Sequence, residues 1–279
     1  MVSSFDLSDR EYRLISDLVY RTVGIHLDEH KKALIVGRLQ KFLREKEFSN
    51  FSQYYDYVNS DPTGQTLKAL VTSISTNHTF FFRESDHFTF FLNNVLPQIT
   101  ETLKKHRSRD LRIWCAGCSS GEEPYTLAMY LLDFFGSESR LWEMGVLATD
   151  ISDTVLEKAK KAIYSDENVS KIPLPFKNKY FSRHDHNNWI VENQVKELVL
   201  FRKLNLMRES YPFKGKFHVI FCRNVMIYFD KQTQNKLIQR FYSYTEPGGY
   251  LFIGHSESLS RDNCPYTYVK PAVYWREMI

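Results

Sequence analysis

Residues 111–135 read LRIWCAGCSSGEEPYTLAMYLLDFF. LRIWCAG is a strand, and EEPYTLAMYLLDFF is a helix with Pro124 in its first turn, where helices accept proline. Two glycines lie in the turn between them. Outward from this unit the rhythm repeats. GVLATD (145–150) is a strand, SDTVLEKAKKAIY (152–164) a helix with Ser152 at its cap, and FHVIFC (217–222) a strand. KQTQNKLIQRFYSY (231–244) is a helix ended by Pro247-Gly248-Gly249, and YLFIG (250–254) is a strand. YTYVKPAVYWREM (266–278) reads as one more strand. Alternating strands and helices imply a parallel sheet with right-handed crossovers. The last two strands imply an antiparallel pair at one edge. Residues 165–198 interrupt the alternation, and NNWIVENQVKELVLF (187–201) reads as a hairpin turning at Glu192-Asn193-Gln194.

The chain before this sheet is helical. Ser8 and Glu11 form a capping box. Ile15, Leu18, Val19 and Thr22 follow helical spacing, and a second helix runs from near Asp28 to about Lys46. Phe51, Tyr54, Tyr55 and Val58, then Leu67, Leu70, Val71 and Ile74, repeat the spacing. Another helix carries Phe88, Phe91, Leu92 and Val95, broken or restarted at Pro97. LKKHRSRD (103–110) reads as a polar linker. The expected fold is α/β: a small all-helical N-terminal domain (1–85), a connecting helix and linker (86–109), and a Rossmann-like domain (110–279) with an antiparallel β insertion at about 165–198.

The 279 residues carry a net charge of +4, so charge balance makes no general case for nucleic acid. No apolar run approaches the roughly 20 residues that span a bilayer, and MVSSFDLSDREY lacks an export signal, which implies the cytoplasm. Cys115 and Cys118 form a C-x-x-C at the end of a strand, without a second pair or a nearby histidine cluster. They read as buried thiols, and no metal site is expected.

In an open α/β sheet, ligands bind beyond the carboxyl ends of the strands. That pole holds Gly117 to Glu123, Asp150, Asn205-Leu206, Arg223-Asn224 and, a few residues on, Tyr228. The glycine turn is not G-x-G-x-x-G, and no P-loop lysine follows it. Glu122 and Glu123 in the first helical turn would repel a pyrophosphate but suit a ligand bearing a cation. Each also fits a plain role as complement to the helix dipole. Asp150, at the end of the second strand, suits a ribose. A ligand with a ribose, a cation and no pyrophosphate points to S-adenosylmethionine.

Five stretches then carry a resemblance: TNHTFFFRE (76–84), CAGCSSGEEPYTLA (115–128), ATDIS (148–152), FCRNVMIYFD (221–230) and LFIGHSES (251–258). In this order the chain resembles, over nearly its whole length, the chemotaxis receptor methyltransferases, the CheR family. The resemblance implies methyl transfer from S-adenosylmethionine to glutamate side chains of chemoreceptors, leaving S-adenosylhomocysteine. By motif, Asn77, Thr79 and Arg83 touch the cofactor or the incoming glutamate. Glu122 holds the methionyl end with Glu123 beside it, Asp150 takes the ribose, and Asn205 and Leu206 flank the adenine. Arg223 and Asn224 lie near the methionyl group, and Tyr228 faces the methyl. Arg83 and Tyr228 are the expected catalytic pair. Phe80, Phe81 and Phe82 are expected to pack a seam between the domains and hold the polar residues rigid.

The substrate implied is an acidic helical segment of a receptor. Residues 30–46 hold six Lys or Arg and one acid. At about 100° per residue, Lys31, Arg38, Lys41 and Arg44 share an arc of about 140°, opposite Leu39, Phe42 and Leu43. With Lys32 they form the expected docking face. The loop SRHDHNNW has no glycine, which argues against capture of a receptor tail at the insertion. A monomer without nucleic acid or inserted membrane segment is expected. A nucleic-acid methyltransferase is disfavoured because CRNVMIY replaces the Asp/Asn-Pro-Pro-aromatic loop. A non-catalytic module sensing the cofactor is disfavoured by the presence of Asp150, Arg83 and Tyr228.

Overall fold

The computed structural model describes residues 5–75, 78–260 and 264–278. These fall into two units, Met1–Thr76 with Tyr228–Thr233, and Asn77–Ile227 with Gln234–Ile279.

The first unit holds α1 (Asp9–Val23), α2 (Lys32–Glu45), α3 (Phe51–Ser60) and α4 (Gln65–Ile74). The Ser8–Glu11 capping box forms, and α1 ends on Gly24 in the left-handed conformation. Glu11 does more than cap. Its Oε1 accepts from Ser52 N at 2.8 Å and Ser52 Oγ at 3.0 Å, tying the start of α1 to the start of α3. Ile15, Val19, Ile35, Leu39, Leu43, Phe51, Val58 and Leu70 are buried at the spacing one helix face requires. The second helix begins later than expected: Glu29–Lys31 is a 3-10 turn, and the α-helix starts at Lys32.

The second unit opens with α5 (Ser85–Phe90), a π-turn at Phe91–Val95 and α6 (Leu96–Lys105). Pro97 has no N–H for the ladder, and the wider turn just before it absorbs the misfit, so the helix continues. Lys104 and Lys105 are its last turn; the expected linker shrinks to 106–109.

Then come β1 (Asp110–Ala116), α7 (Glu122–Phe135), β2 (Glu143–Asp150), α8 (Asp153–Lys161), β3 (Ile163–Ser165), α9 (Asp166–Val169), α10 (Leu174–Tyr180), β4 (Phe181–Arg183), β5 (Asn188–Val191), α11 (Asn193–Lys196), β6 (Val199–Lys203), β7 (Phe217–Cys222), α12 (Lys231–Tyr244), β8 (Thr245–Ile253), β9 (Thr267–Lys270) and β10 (Val273–Trp275). Among the described residues the main sheet runs β6-β2-β1-β7-β8-β10-β9. The first five strands are parallel, and β10 is antiparallel to both neighbours. Strand order reverses at β1, so the switch point lies between β1 and β7, where such sheets bind ligands. Leu111, Ile113, Val219, Phe221 and Phe252 are fully buried beneath α7 and the α5–α6 segment.

Two readings are corrected. Residues 187–201 are not a hairpin. β5 sits between β3 and β4 in a small antiparallel sheet, α11 turns the chain, and β6 joins the main sheet beside β2. Residues 266–278 hold two strands rather than one. Pro271 cannot donate to the ladder, and Ala272 at φ 63° completes a turn between β9 and β10.

Candidate active site

The β1–α7 turn depends on two glycines. Gly117 has φ 84°, and a Cβ there would meet a Val225 methyl at 2.4 Å. Gly121 has φ 99°, and a Cβ would press on Ala159 and the Tyr164 hydroxyl at 2.9 Å. Both conditions exclude side chains. Gly117 and Cys118 donate their N–H groups to Thr149 O at 2.8 and 2.9 Å, fastening the turn to the end of β2.

Asp150 is thereby placed at the turn. Its Oδ2 accepts from Ser119 N at 2.9 Å and its Oδ1 from Ser152 N at 3.0 Å. Ser152 stands at the cap position of α8, but its side chain makes no cap hydrogen bond. Asp150 thus takes part of the capping duty expected of Ser152. Burial still pushes its pKa up despite those N–H groups. The Asp150 carbonyl accepts from Leu204 N at 2.9 Å, which brings Asn205 and Leu206 beside it. Asn205 Oδ1 accepts from Met207 N at 2.9 Å, and Leu206 is buried.

The two glutamates at the head of α7 diverge. Glu122 is 3 % exposed, and Ser120 Oγ donates to its carboxylate at 2.8 Å. Burial pushes its pKa up to about 7. Glu123 pairs with Arg223 at 2.8 Å and accepts from Cys115 Sγ at 3.0 Å. Burial, and then these acids, push the Cys115 and Cys118 thiols up, which disfavours thiolates.

Arg223 is a connector rather than an open cation. Its guanidinium lies 3.0 Å from Glu84 Oε2 and 2.8 Å from Glu123 Oε2, donates to Arg83 O, and sits 5.2 Å over the Phe88 ring. It clamps the Arg83–Glu84 segment against α7. Arg83 keeps a partly exposed side chain, with Nη1 donating to His78 O at 2.8 Å. Phe82, Glu84, Ser119 and Asn224 all have positive φ, between 47° and 60°. Non-glycine residues in that region cost about 1–3 kcal/mol each, and such strain gathers at functional sites.

The phenylalanine run packs within the second unit. Phe81 is 2 % exposed and meets Tyr164 and Phe181 edge-on at 4.8 and 5.3 Å. Phe82 packs on Tyr130 and Phe176, whereas Phe80 is exposed under Arg83.

Two site residues escaped sequence reasoning. Glu84 follows Arg83 directly, and Glu257 follows β8. Glu257 accepts from the backbone N–H groups of Asn224 at 3.0 Å, Ile227 at 3.2 Å and Gly254, fixing the β7 exit. Both lie in the stretches that carried the resemblance, and the signal was an acid at the ligand pole of the sheet.

Thr79 is half-buried. Asn77 lies outside the described residues. Tyr228 groups with the helical unit, where its carbonyl accepts from His26 N at 2.7 Å. On α2 and the turn before it the basic residues divide. Arg38 Nη1 donates to the carbonyls of Ser73, Ile74 and Ser75 at 3.0, 2.7 and 2.9 Å, closing the end of α4. Lys32 pairs with Asp9 at 2.8 Å, and Lys31 lies 3.8 Å from Asp28. Lys41 and Arg44 are exposed.

Glu122 is a buried carboxylate and Asp150 a half-buried one, and neither has an ion-pair partner among the described residues. Such groups stay ionised only with a cation or hydrogen-bond donors to hold them, and Glu122 has one hydroxyl donor and Asp150 two backbone N–H groups. The two acids fit a ligand bearing an ammonium and a ribose diol. Residues 77–274 match the family described as CheR methyltransferase, SAM binding domain, and residues 10–75 match the CheR methyltransferase all-alpha domain. The chain is 45 % identical over 266 residues to the chemotaxis protein methyltransferase of Borreliella burgdorferi, covering 95 % of this chain and 93 % of that one. It is 36 % identical over 277 residues to that of Escherichia coli K12, covering 98 % and 93 %. Chemotaxis protein methyltransferase 2 of Pseudomonas aeruginosa is 36 % identical over 258 residues, with 91 % and 88 % covered.

Proposed function

Because the chain belongs to the CheR methyltransferase family, we propose that it esterifies glutamate side-chain carboxylates in an acidic helical segment of chemoreceptors. The enzyme is an S-adenosylmethionine-dependent methyltransferase of chemotaxis. The observation that carries the finer reading is the contrast between buried Glu122 and half-buried Asp150, acids without an ion pair among the described residues, and the partly exposed guanidinium of Arg83.

In this reading Glu122 takes the ammonium and Asp150 the ribose hydroxyls, with Asn205 and Leu206 flanking the base. Asn77, Thr79 and Asn224 complete the cofactor side. The cofactor supplies an activated methyl on a sulfonium. A glutamate carboxylate, with a pKa near 4.3, is already nucleophilic at neutral pH, so no base is needed. Arg83 holds one carboxylate oxygen and leaves the other to attack, and Tyr228 orients it. Alignment and exclusion of water can contribute roughly 7–11 kcal/mol. Arg223 acts through its acids: it keeps Glu84 and the Arg83 backbone in place.

Docking belongs to the helical residues up to 85, on Lys41 and Arg44 with Lys31 and Lys32 beside them. The enzyme acts as a cytoplasmic monomer, without nucleic acid. Among the described residues no helix is long and apolar enough to cross a membrane.

The test is incubation with a radiolabelled methyl donor and a receptor cytoplasmic fragment. Label released as methanol in mild alkali supports the glutamyl ester. Alkali-stable label would overturn it and bring back a methylated base or amine.

A further inference from the structure

His87 poses a problem the methyl transfer does not explain. It is fully buried, and neither ring nitrogen has a hydrogen-bond partner among the described residues. Each unsatisfied buried polar atom costs about 1–3 kcal/mol. Aromatic packing on Phe252, at 5.7 Å, would be served as well by phenylalanine, without that cost.

What surrounds the ring is a set of ligands. His87 Nδ1 lies 3.4 Å from Glu84 Oε2, at a geometry that makes no hydrogen bond. The His255 ring is 4.5 Å away, centroid to centroid. One ligand atom each from Glu84, His87 and His255 fall within 4.8 Å of one another. Zinc with bonds of about 2.0–2.1 Å in a tetrahedron holds its ligand atoms about 3.3 Å apart. Glu84 and His87 already stand at that separation. His255 Nε2 lies 3.2 Å from the Asp86 carboxylate, the kind of partner that orients a ligating imidazole.

We propose that Glu84, His87 and His255 form a site for a zinc-class divalent cation, with the fourth position open to water. Two imidazoles and one carboxylate select zinc, cobalt, nickel or copper over magnesium and calcium. The site is inhibitory. Glu84 Oε2 faces both His87 Nδ1 and Arg223 Nη2, at 3.4 and 3.0 Å, so a bound metal draws it off Arg223. Glu123, at 2.8 Å, retains Arg223, but the Arg83–Glu84 segment loses the ionic half of its clamp and keeps the bond from Arg223 to Arg83 O.

The full chain would be titrated with Zn2+ against a chromogenic chelator, in wild type, His255→Ala and a His184→Ala/His186→Ala double variant. The exposed loop histidines 184 and 186 are the obvious competitors. The expected result is one equivalent in wild type, at least tenfold weaker binding in His255→Ala, and no change in the double variant. Co2+ in the wild type should give the intense visible bands of a tetrahedral centre, absent in His255→Ala. Zinc should slow methyl transfer in wild type and much less in His255→Ala. No binding, equal affinity in His255→Ala, or loss only in the double variant would each overturn the site. Zinc binding that leaves methyl transfer unchanged would overturn the inhibitory role.

Discussion

Arg223 Nη2 lies 3.0 Å from Glu84 Oε2, with the guanidinium 1 % exposed and the glutamate side chain 13 % exposed. One buried cation therefore joins the segment before α5 to the head of α7. Removing a partner from such a pair leaves the other charge uncompensated, at about 3–5 kcal/mol. Arg223→Met should lose that much stability by urea unfolding. The pH dependence has a definite sign. Burial raises the pKa of Glu84, but the Arg223 charge and hydrogen bonds outweigh it, and the net shift is downward. Its stabilisation is present above the ordinary carboxylate pKa and lost as pH falls through the lowered one. The acid limb of the stability curve should flatten in Glu84→Gln; an unchanged limb would remove the pair from the account.

In the proposed reading the partly exposed guanidinium of Arg83, 3.9 Å from Glu84 Oε1, meets the substrate carboxylate. Arg83→Ala should reduce turnover by about 100-fold or more, the usual effect of deleting one positioned donor. S-adenosylhomocysteine affinity should stay nearly unchanged by calorimetry. A collapse of cofactor binding with intact turnover per bound complex would assign Arg83 to the cofactor instead.

Asp150 should show the reverse pattern. Its carboxylate already accepts Ser119 N and Ser152 N, and in the proposed reading its remaining lone pairs take the ribose. Charge-assisted hydrogen bonds contribute about 1.5–3 kcal/mol each. Asp150→Ala should weaken S-adenosylhomocysteine by about 10-fold or more, and turnover at saturating cofactor should suffer less. Equal affinity in the variant would move the ribose elsewhere.

The helices and the parallel strands were legible because their periods and caps are local. Ser8 and Glu11 announce α1, and Gly117 and Gly121 announce the turn that makes the site. What failed was non-local. Nothing within NNWIVENQVKELVLF reveals that its halves pair with different sheets, because a four-residue helix is too short to leave a period. Ser152 looked like a cap, but Asp150 two residues earlier accepts its N–H. Arg38 looked like a surface charge because the carbonyls it closes are 35–37 residues away. Glu84 and Glu257 were hidden because their partners are arranged by tertiary structure.

Arg38 and its neighbours on α2 give a separable test. Arg38→Ala should cost roughly 1.5–3 kcal/mol, since a charged donor to three carbonyls is lost. Lys41→Glu with Arg44→Glu should leave stability within about 0.5 kcal/mol, as exposed substitutions do. The double variant should slow receptor methylation at low ionic strength, with the difference from wild type fading as salt rises. Equal rates at every salt concentration would remove α2 from docking.

Glu122 should couple the cofactor to protons. Its pKa near 7, raised by burial, means that much of it is protonated in the free enzyme at neutral pH. The cofactor's ammonium favours the ionised form, so binding should release a proton. Calorimetry near pH 7 in buffers of different ionisation enthalpy should detect that release, and affinity should fall as pH drops below 7. Glu122→Gln should abolish the release and weaken binding. The sign for stability is opposite. A carboxyl whose folded pKa is raised stabilises fully below its unfolded pKa, and that contribution is lost as pH rises through about 7. The shift from 4.5 to about 7 corresponds to about 3 kcal/mol at most. Glu122→Gln should therefore make the free protein more stable at pH 8 while making it a poorer cofactor binder. A variant that is less stable at pH 8, with proton release intact, would show that Glu122 is a structural acid.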